Sequence, residues 1–199
     1  MTLPLDDARR KLLLKVFRMP LVQSMKQRKS SITNAFVNAV IPVVHPSAEE
    51  ILEALTILNM VPEDVRCAYC GDANTEWDHL RPLVDNLRPT GFVSEIANLV
   101  PSCSKCNQSK GNKNWRLWML GTADQSPAGR KIVDIGDRIA RLEAYEAWRP
   151  PRQVDFETLL GTDVWAHYWS LWDALSKALH EAQIVADEMR AVVRERFGH

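Results

Sequence analysis

Two Cys-x-x-Cys pairs constrain the fold of this chain of 199 residues more than any other feature. The first motif contains Cys67 and Cys70, and the second contains Cys103 and Cys106. These are all four cysteines of the chain. Each such turn directs two thiolates at one ion, so two turns complete a tetrahedral zinc site with no open position. A closed site of this kind is structural, and its metal supplies folding energy. Free core cysteines would not explain two identical spacings, and a redox dithiol needs only one pair.

Composition and the N-terminal segment bear on the compartment. A chain that is 46% hydrophobic and 25% charged is ordinary for a soluble globular protein. No apolar run reaches membrane-spanning length, so we expect no membrane partner. The segment from Met1 to Leu14 is amphipathic, carries Asp6 and Asp7, and lacks the pattern of a signal peptide. We therefore expect a cytoplasmic protein, in which cysteines at this spacing indicate a metal site rather than disulfides.

The net charge is zero, so the total charge does not indicate a nucleic-acid partner. The distribution of charge along the chain is more informative. Residues 1–33 carry eight basic and two acidic side chains. Residues 103–116 carry no acidic side chain and four basic ones: Lys105, Lys110, Lys113 and Arg116. Positive charge is thus concentrated in the N-terminal arm and after the second cysteine pair.

The apolar pattern divides the chain into three regions. We expect an N-terminal helical region over 1–60, a central region with the motifs over 61–121, and a C-terminal helical region over 122–199. Apolar residues at helical spacing predict a first helix from Leu5 to Phe17. A capping box of Ser47 and Glu50 predicts the start of a later helix.

Weaker signals predict the elements of the other two regions. In the central region, the segments 76–83 and 91–93 are expected to form a short hairpin. Residues 98–114 are expected to form a loop leading into a helix. In the C-terminal region, Pro127 marks the start of a helix that ends near Trp148.

A long helix is predicted from Asp163 to Phe197, because its apolar residues alternate steps of four and three in a heptad seam. The members of the seam are Val164, Tyr168, Leu171, Leu175, Ala178, Ala182, Val185, Met189 and Val192. Trp165, Trp169 and Trp172 widen the apolar face. A homodimer would bury this seam, and packing against the N-terminal helices would satisfy it equally well.

Three ordered blocks carry a family resemblance. They are Asp78-His79-Leu80-Arg81-Pro82, then Ile96-Ala97-Asn98-Leu99-Val100-Pro101, then the segment from Cys103 to Gly111. Together with the flanking cysteine pairs, they resemble an HNH endonuclease of the ββα-metal superfamily. The resemblance covers the chain from about Cys67 to Trp115.

This resemblance implies a role for each matching residue. His79 would be the general base that activates water, and Asp78 would bind the catalytic metal. Asn98 would hold the loop of the site in shape, and Asn107 would bind the metal from the helix. Many family members carry His at this last position, so the motif here reads H-N-N. Because Asp78 and Asn107 both offer oxygen, we expect a hard ion, Mg²⁺ or Mn²⁺.

The chemistry and the surrounding charges fit this interpretation. A neutral His79 can accept a proton from water near pH 7. A phosphate backbone requires positive charge nearby. We therefore predict that four basic side chains bind nucleic acid: Arg81, Lys105, Lys110 and Lys113.

The sequence therefore predicts an α+β, mostly helical protein, with a small ββα-metal core stapled by a four-cysteine zinc site and flanked by helical extensions. We expect a metal-dependent endonuclease acting on double-stranded DNA. The long flanks favour sequence recognition and dimerisation, as in a restriction-type enzyme. Two alternatives remain open: a nonspecific or nicking nuclease of a phage or mobile element, and a noncatalytic zinc-containing module that binds nucleic acid.

Overall fold

A computed structural model describes residues 6–17, 20–73 and 76–197. The chain divides into two compact units. One comprises Met1–Lys29 and Lys177–His199, and the other comprises Ser30–Ser176. Within the described ranges, no helix is both long enough and apolar enough to cross a membrane. The predicted fold class, α+β and mostly helical, is confirmed.

The helices and strands are numbered in chain order. The α-helices are α1 (Asp7–Val16), α2 (Lys29–Val40), α3 (Ala48–Ile57), α4 (Ser104–Lys110), α5 (Trp115–Met119), α6 (Ile135–Trp148), α7 (Phe156–Leu160) and α8 (Thr162–Phe197). The strands are β1 (Glu76–His79), β2 (Val84–Asp85), β3 (Arg88–Pro89) and β4 (Leu99–Ser102). Short 3-10 helices cover Met25–Arg28 and Ile96–Asn98.

Local sequence signals locate several helices correctly. The capping box before α3 is present: the backbone N–H of Glu50 donates to Ser47 Oγ at 3.2 Å, and that of Ser47 donates to Glu50 Oε2 at 2.9 Å. The helix predicted from Leu5 to Phe17 is α1, capped by Asp6; Leu5 lies outside the described residues. The long C-terminal helix, α8, begins one residue before its predicted start, Asp163, and ends at the predicted residue.

The partner of β1 differs from the prediction. The expected hairpin between 76–83 and 91–93 does not form; β1 instead pairs antiparallel with β4, with His79 opposite Leu99. Pro101 makes β4 hard to predict from the sequence, because proline argues against a strand. It is tolerated here because both strands of a two-stranded sheet are edge strands. The β1–β4 pair followed by α4 forms the ββα core.

Two helices also differ from the prediction. Residues 98–114, expected to be a loop, contain β4 and α4, and α4 follows directly on its cap residue Cys103. The helix expected to begin at Pro127 begins at Ile135. Lys131, between them, has a φ of +58°, which is incompatible with a continuing right-handed helix. A proline at a helix start was therefore a misleading signal here.

The unit Ser30–Ser176 has two hydrophobic clusters. The first joins β4 and α4 to α3, α5 and α6, and Tyr69, Leu142 and Tyr145 are fully buried in it. The second joins α2 to the N-terminal part of α8. There Trp172 Nε1 donates to Thr33 Oγ1 at 3.1 Å. The second cluster thereby fixes α2 against the N-terminal part of α8.

The tryptophans of α8, rather than the heptad seam, provide most of its buried face in this unit. Trp169 and Trp172 are buried, whereas Val164, Leu171 and Leu175 of the seam are exposed. The seam residue Tyr168 is the exception, because its hydroxyl donates to the backbone carbonyl of Phe36 at 2.9 Å. Packing against α2 thus buries only part of the heptad seam.

In the unit formed by Met1–Lys29 and Lys177–His199, a buried glutamine of α8 holds the 3-10 helix Met25–Arg28. Gln183 Oε1 accepts hydrogen bonds from Ser24 Oγ at 3.1 Å and from the Met25 backbone N–H at 2.7 Å. Seam residues of α8 in this unit, such as Val185, Met189 and Val192, are exposed.

Candidate active site and metal centre

The four cysteines meet as the spacing predicts. Their sulfur atoms all lie within 4.8 Å of one another, and all four residues are buried. Cys67 and Cys70 belong to a turn closed by a 2.8 Å hydrogen bond from the Gly71 backbone N–H to the Cys67 carbonyl. Cys103 caps α4 and Cys106 lies in its first turn. The thiols are therefore positioned for one metal ion.

The four thiols are close enough to influence one another electrostatically. Hydrogen bonds with Cys67 and Cys70 raise the pKa of Cys106. Hydrogen bonds from Cys106 and Cys67 lower the pKa of Cys70. One thiolate is thus stabilised by thiols that keep their protons, because like charges this close repel. A bound divalent ion removes that repulsion, and four thiolates are a known ligand set for structural zinc.

Two arginines beside the cysteines add positive charge that the sequence pattern did not indicate. Arg130 Nη2 donates to Cys106 Sγ at 2.9 Å, and Arg138 Nη1 donates to the Cys67 carbonyl at 3.3 Å. Hydrogen bonds and charges of this kind stabilise thiolates and orient metal ligands. The surroundings of the four sulfur atoms therefore fit a metal centre.

Asp78 points into the core from β1 and is nearly fully buried. Its Oδ2 atom accepts hydrogen bonds from the Tyr69 hydroxyl at 2.6 Å and from Lys110 Nζ at 3.0 Å. Burial raises the pKa of the Asp78 carboxyl, and the charge of Lys110 and the Tyr69 hydroxyl oppose that rise. Asp78 is therefore the acceptor of a buried hydrogen-bond network.

The position of Lys110 corrects one prediction. We expected this side chain to meet a nucleic-acid phosphate, but it is fully buried. Besides its ion pair with Asp78, the ammonium donates to the backbone carbonyls of His79 at 2.7 Å and Gly111 at 3.3 Å. Burial lowers the pKa of Lys110, and Asp78 opposes this shift. Sequence alone does not separate this lysine from its exposed neighbours, because all of them lie within or just after the second cysteine pair.

His79 follows Asp78 and points to the opposite face of β1. Its Nε2 atom lies 2.8 Å from Ser94 Oγ, a partner that the sequence did not indicate. Burial, and after it the charge of Lys110, lowers the pKa of His79 to about 4. The imidazole is therefore neutral at pH 7, as a general base must be.

The two asparagines of the motif occupy different environments. Asn98 is fully buried, accepts a hydrogen bond from the Arg81 N–H at 2.7 Å and donates to the Arg81 carbonyl at 3.0 Å. It therefore ties the chain after β1 to the start of β4. Asn107 is half-buried on α4 and donates from Nδ2 to Glu76 Oε2. That bond leaves the amide oxygen of Asn107 for another partner.

Asp78, His79 and Asn107 line one cavity of about 250 Å³. The cavity thus brings together a neutral imidazole, a carboxylate and an amide. Oxygen donors of the last two types are those that Mg²⁺ and Mn²⁺ prefer. Asp78 Oδ1 accepts only a long, weak hydrogen bond from Lys110 Nζ, at 3.4 Å, so this oxygen can still bind a cation. These residues therefore fit a hard divalent cation.

Comparison with known proteins agrees with this geometry. Residues 67–113 match the model of the family described as HNH endonuclease. The chain carries an HNH endonuclease domain. It is also 26% identical over 141 residues to the CRISPR-associated endonuclease Cas9 of Corynebacterium diphtheriae. That alignment covers 68% of this chain and 12% of the Cas9 chain. No solved structure matches the chain. The predicted HNH domain is confirmed over residues 67–113.

The basic residues expected to bind nucleic acid lie in different settings around the HNH domain. Lys105 is exposed on α4. Lys113 is also exposed, and its ammonium donates to the Ser109 carbonyl at 2.6 Å. Arg81 forms a 2.6 Å ion pair with Glu146 of α6. Lys105, Lys113 and Arg81 therefore retain some accessible surface, unlike Lys110.

Residues outside the matched segment also support the HNH domain. Tyr145 of α6 is fully buried, and its hydroxyl donates to the backbone carbonyls of Ile96 and, at 3.0 Å, Leu99. It thereby fixes the segment that carries Asn98 into β4. Tyr145 has no motif around it, so only its position in the fold reveals this role.

Proposed function

We propose that this protein is a metal-dependent endonuclease that hydrolyses phosphodiester bonds of double-stranded DNA, with His79 as the general base. One observation carries the proposal: His79, bonded through Nε2 to Ser94 at 2.8 Å, lies in the cavity that also contains Asp78 and Asn107. A base, two oxygen ligands and space for a phosphate are the minimum that the reaction requires.

In this proposal, the hydrogen bond between His79 Nε2 and Ser94 leaves Nδ1 to accept a proton from water. The resulting hydroxide attacks phosphorus, and the bond from phosphorus to the 3′ oxygen breaks. The departing oxygen takes up a proton from solvent water and His79 releases its proton to solvent, so the products carry 5′-phosphate and 3′-hydroxyl ends. Asn98 would keep the loop after β1 in the shape that presents His79, through its two bonds to Arg81.

We assign the two metal roles to separate sites. Cys67, Cys70, Cys103 and Cys106 would hold a structural Zn²⁺. Asp78 and Asn107 would hold the catalytic Mg²⁺ or Mn²⁺, which when bound neutralises charge on the scissile phosphate. Glu76 would fix the orientation of Asn107 by accepting its amide hydrogen.

The DNA backbone would be bound by exposed cations near the cavity. Lys105 and Lys113 are exposed on and just after α4, and Arg81 follows β1. Cas9 of Corynebacterium diphtheriae, named as an endonuclease, supports a nucleic-acid substrate. Buried free thiols suit a reducing compartment, so we place the enzyme in the cytoplasm.

We further propose that the helical regions over 1–60 and 122–199 serve recognition and dimerisation, as in a restriction-type enzyme. Two copies would place two active sites on the two strands of a duplex. The exposure of Val164, Leu171 and Leu175 supports this proposal, because a homodimer would bury these seam residues.

The activity is tested with purified protein, plasmid and phage DNA, methylated and unmethylated, in Mg²⁺ or Mn²⁺. The variant is His79→Ala, and the matched control is His45→Ala, since His45 is exposed and outside the motif. Discrete fragments from wild type and control, lost in His79→Ala, are expected. A smear or nicked plasmid would remove the restriction-type assignment but keep the nuclease. No cleavage under any condition would favour the noncatalytic binding module.

Dimerisation is tested by sedimentation of the wild type and of the double variant Leu171→Glu/Leu175→Glu. The control is Leu117→Glu, which places the same charge at an exposed leucine of α5. The double variant alone should sediment as a monomer. A monomeric wild type would contradict the dimer.

A further inference from the structure

We propose that Asn34 and Asn38 of α2 bind the phosphate backbone of the substrate strand beside the scissile phosphate. This inference rests on the proposed function and assigns a second wall to the same site. Both residues line the cavity that contains Asp78 and His79. Helix α2 lies outside the segment of residues 67–113 that matches the HNH family, so the family resemblance gives these residues no role.

The polar lining of the cavity comes from two parts of the chain. Asn107 and Asn112 belong to α4 and the turn after it, whereas Asn34 and Asn38 come from α2. No lysine or arginine is found among the described residues that line it. Beyond what the catalytic cation neutralises, a phosphate entering here must therefore be bound by neutral donors. Amide N–H groups are such donors, and hydrogen bonds to a charged phosphate oxygen are stronger than neutral ones.

The sequence of α2 supports a selected role for these amides. Asparagine is a poor residue for a helix interior, because its side chain competes for backbone hydrogen bonds. Helix α2 nevertheless places two of them four residues apart, on one exposed face. Alanine at either position would favour the helix by a few tenths of a kcal/mol. A local preference broken twice on one face indicates function.

Both amides have capacity left for a ligand. Asn38 Nδ2 donates to the backbone carbonyl of Asn34 at 2.7 Å, which orients the side chain along the helix. The second N–H of Asn38 and the amide of Asn34 have no hydrogen-bond partner recorded within the described residues. They can therefore point donors into the cavity without breaking an existing bond.

The wall is also rigid. On the buried face of α2, Thr33 is bonded to Trp172 of α8, and Val37 is fully buried in the second hydrophobic cluster. Val84 belongs to that cluster and also lines the cavity, so packing links α2 directly to the site. The positions of Asn34 and Asn38 are thus set by the core rather than by a mobile loop.

The test measures cleavage of several DNA sequences by Asn34→Ala/Asn38→Ala and by Asn38→Asp. The matched control is Ala39→Asp, which puts the same charge on the next residue of α2, outside the lining residues. We expect KM to rise by about tenfold or more for the double alanine variant. The rise should be similar on every sequence, because phosphates carry no sequence information. Asn38→Asp should raise KM further, because its carboxylate repels the phosphate, and Ala39→Asp should have the KM of wild type.

Stability separates this role from a structural one. The double alanine variant should melt at the temperature of wild type or above it, since alanine favours the helix. Binding of DNA by His79→Ala, followed by fluorescence anisotropy, should weaken by the same factor when both asparagines are replaced. Unchanged KM and unchanged binding in an active enzyme would overturn the inference. A change in sequence preference at constant affinity would also overturn it, in favour of base contacts. Absence of cleavage by wild type would instead refute the proposed function.

Discussion

Replacing Lys110 by methionine should destabilise the protein far more than any other lysine substitution on α4. Lys110 is fully buried, and its Nζ lies 3.0 Å from Oδ2 of Asp78, whose side chain is 7% exposed. Removing one partner of a buried ion pair leaves an uncompensated charge and costs about 3–5 kcal/mol. The lost bonds to the carbonyls of His79 and Gly111 add to this cost. We therefore expect a loss of about 4 kcal/mol in the free energy of unfolding.

The assay is urea unfolding of the zinc-loaded protein without added Mg²⁺, followed by tryptophan fluorescence. Lys105→Met is the matched control, because Lys105 is exposed on the same helix, and it should change stability by less than about 0.5 kcal/mol. In an Asp78→Asn background, Lys110→Met should cost only about 1 kcal/mol, the value of the remaining hydrogen bonds.

Two results would refute this reasoning. A loss below about 1 kcal/mol for Lys110→Met would mean that the pair is not buried in solution. An equal loss in the Asp78→Asn background would mean that the ammonium acts through its backbone partners rather than through the carboxylate.

Further predictions concern His79, the metal centre and Tyr145. Because the pKa of His79 is lowered to about 4, kcat/KM should hold from pH 7 down to below pH 6 and fall only toward pH 4. Over the same range, protonation of His79 in the unfolded state, where its pKa is near 6.5, should lower stability as pH falls. Stripping zinc with a chelator should unfold the ββα core, and Cys106→Ser should do the same. Tyr145→Phe should cost about 1–3 kcal/mol in urea unfolding, because it removes the hydrogen bonds from the buried hydroxyl to the Ile96 and Leu99 carbonyls.

Each of these has a contradicting outcome. An acid limb of kcat/KM near pH 6.5 that persists at saturating metal would show that His79 is not shielded as described. A chelated protein with an unchanged melting temperature would exclude a structural metal. For Tyr145, the control is Tyr168→Phe, whose half-buried hydroxyl bonds one carbonyl; equal losses in both variants would contradict the special role of Tyr145.

The sequence predicted the parts of this protein that depend on short spacings. Two Cys-x-x-Cys turns bring their own thiols together locally, so their geometry follows from the chain. The capping box of α3 and the apolar period of α8 act within one or two turns of helix, and both helices form as predicted. His79 and Asn107 were singled out because three ordered sequence blocks resemble the HNH family.

Contacts over long sequence separations were decided only by the tertiary structure. Strand β1 pairs with β4 rather than with 91–93, which no local preference indicates when Pro101 lies in the strand. The heptad seam is real as a pattern, yet the tryptophans beside it form most of the face buried against α2.

The same distinction holds inside the candidate site. The sequence by itself determined which residue types the site contains: four thiols, an imidazole, a carboxylate and two amides. Packing decided that Lys110 turns inward to Asp78, that Ser94 meets His79, and that α2 brings Asn34 to the same cavity. The physical reason is that burial and ion pairing depend on which surfaces the whole chain brings together. Residue spacing along one segment carries no record of that.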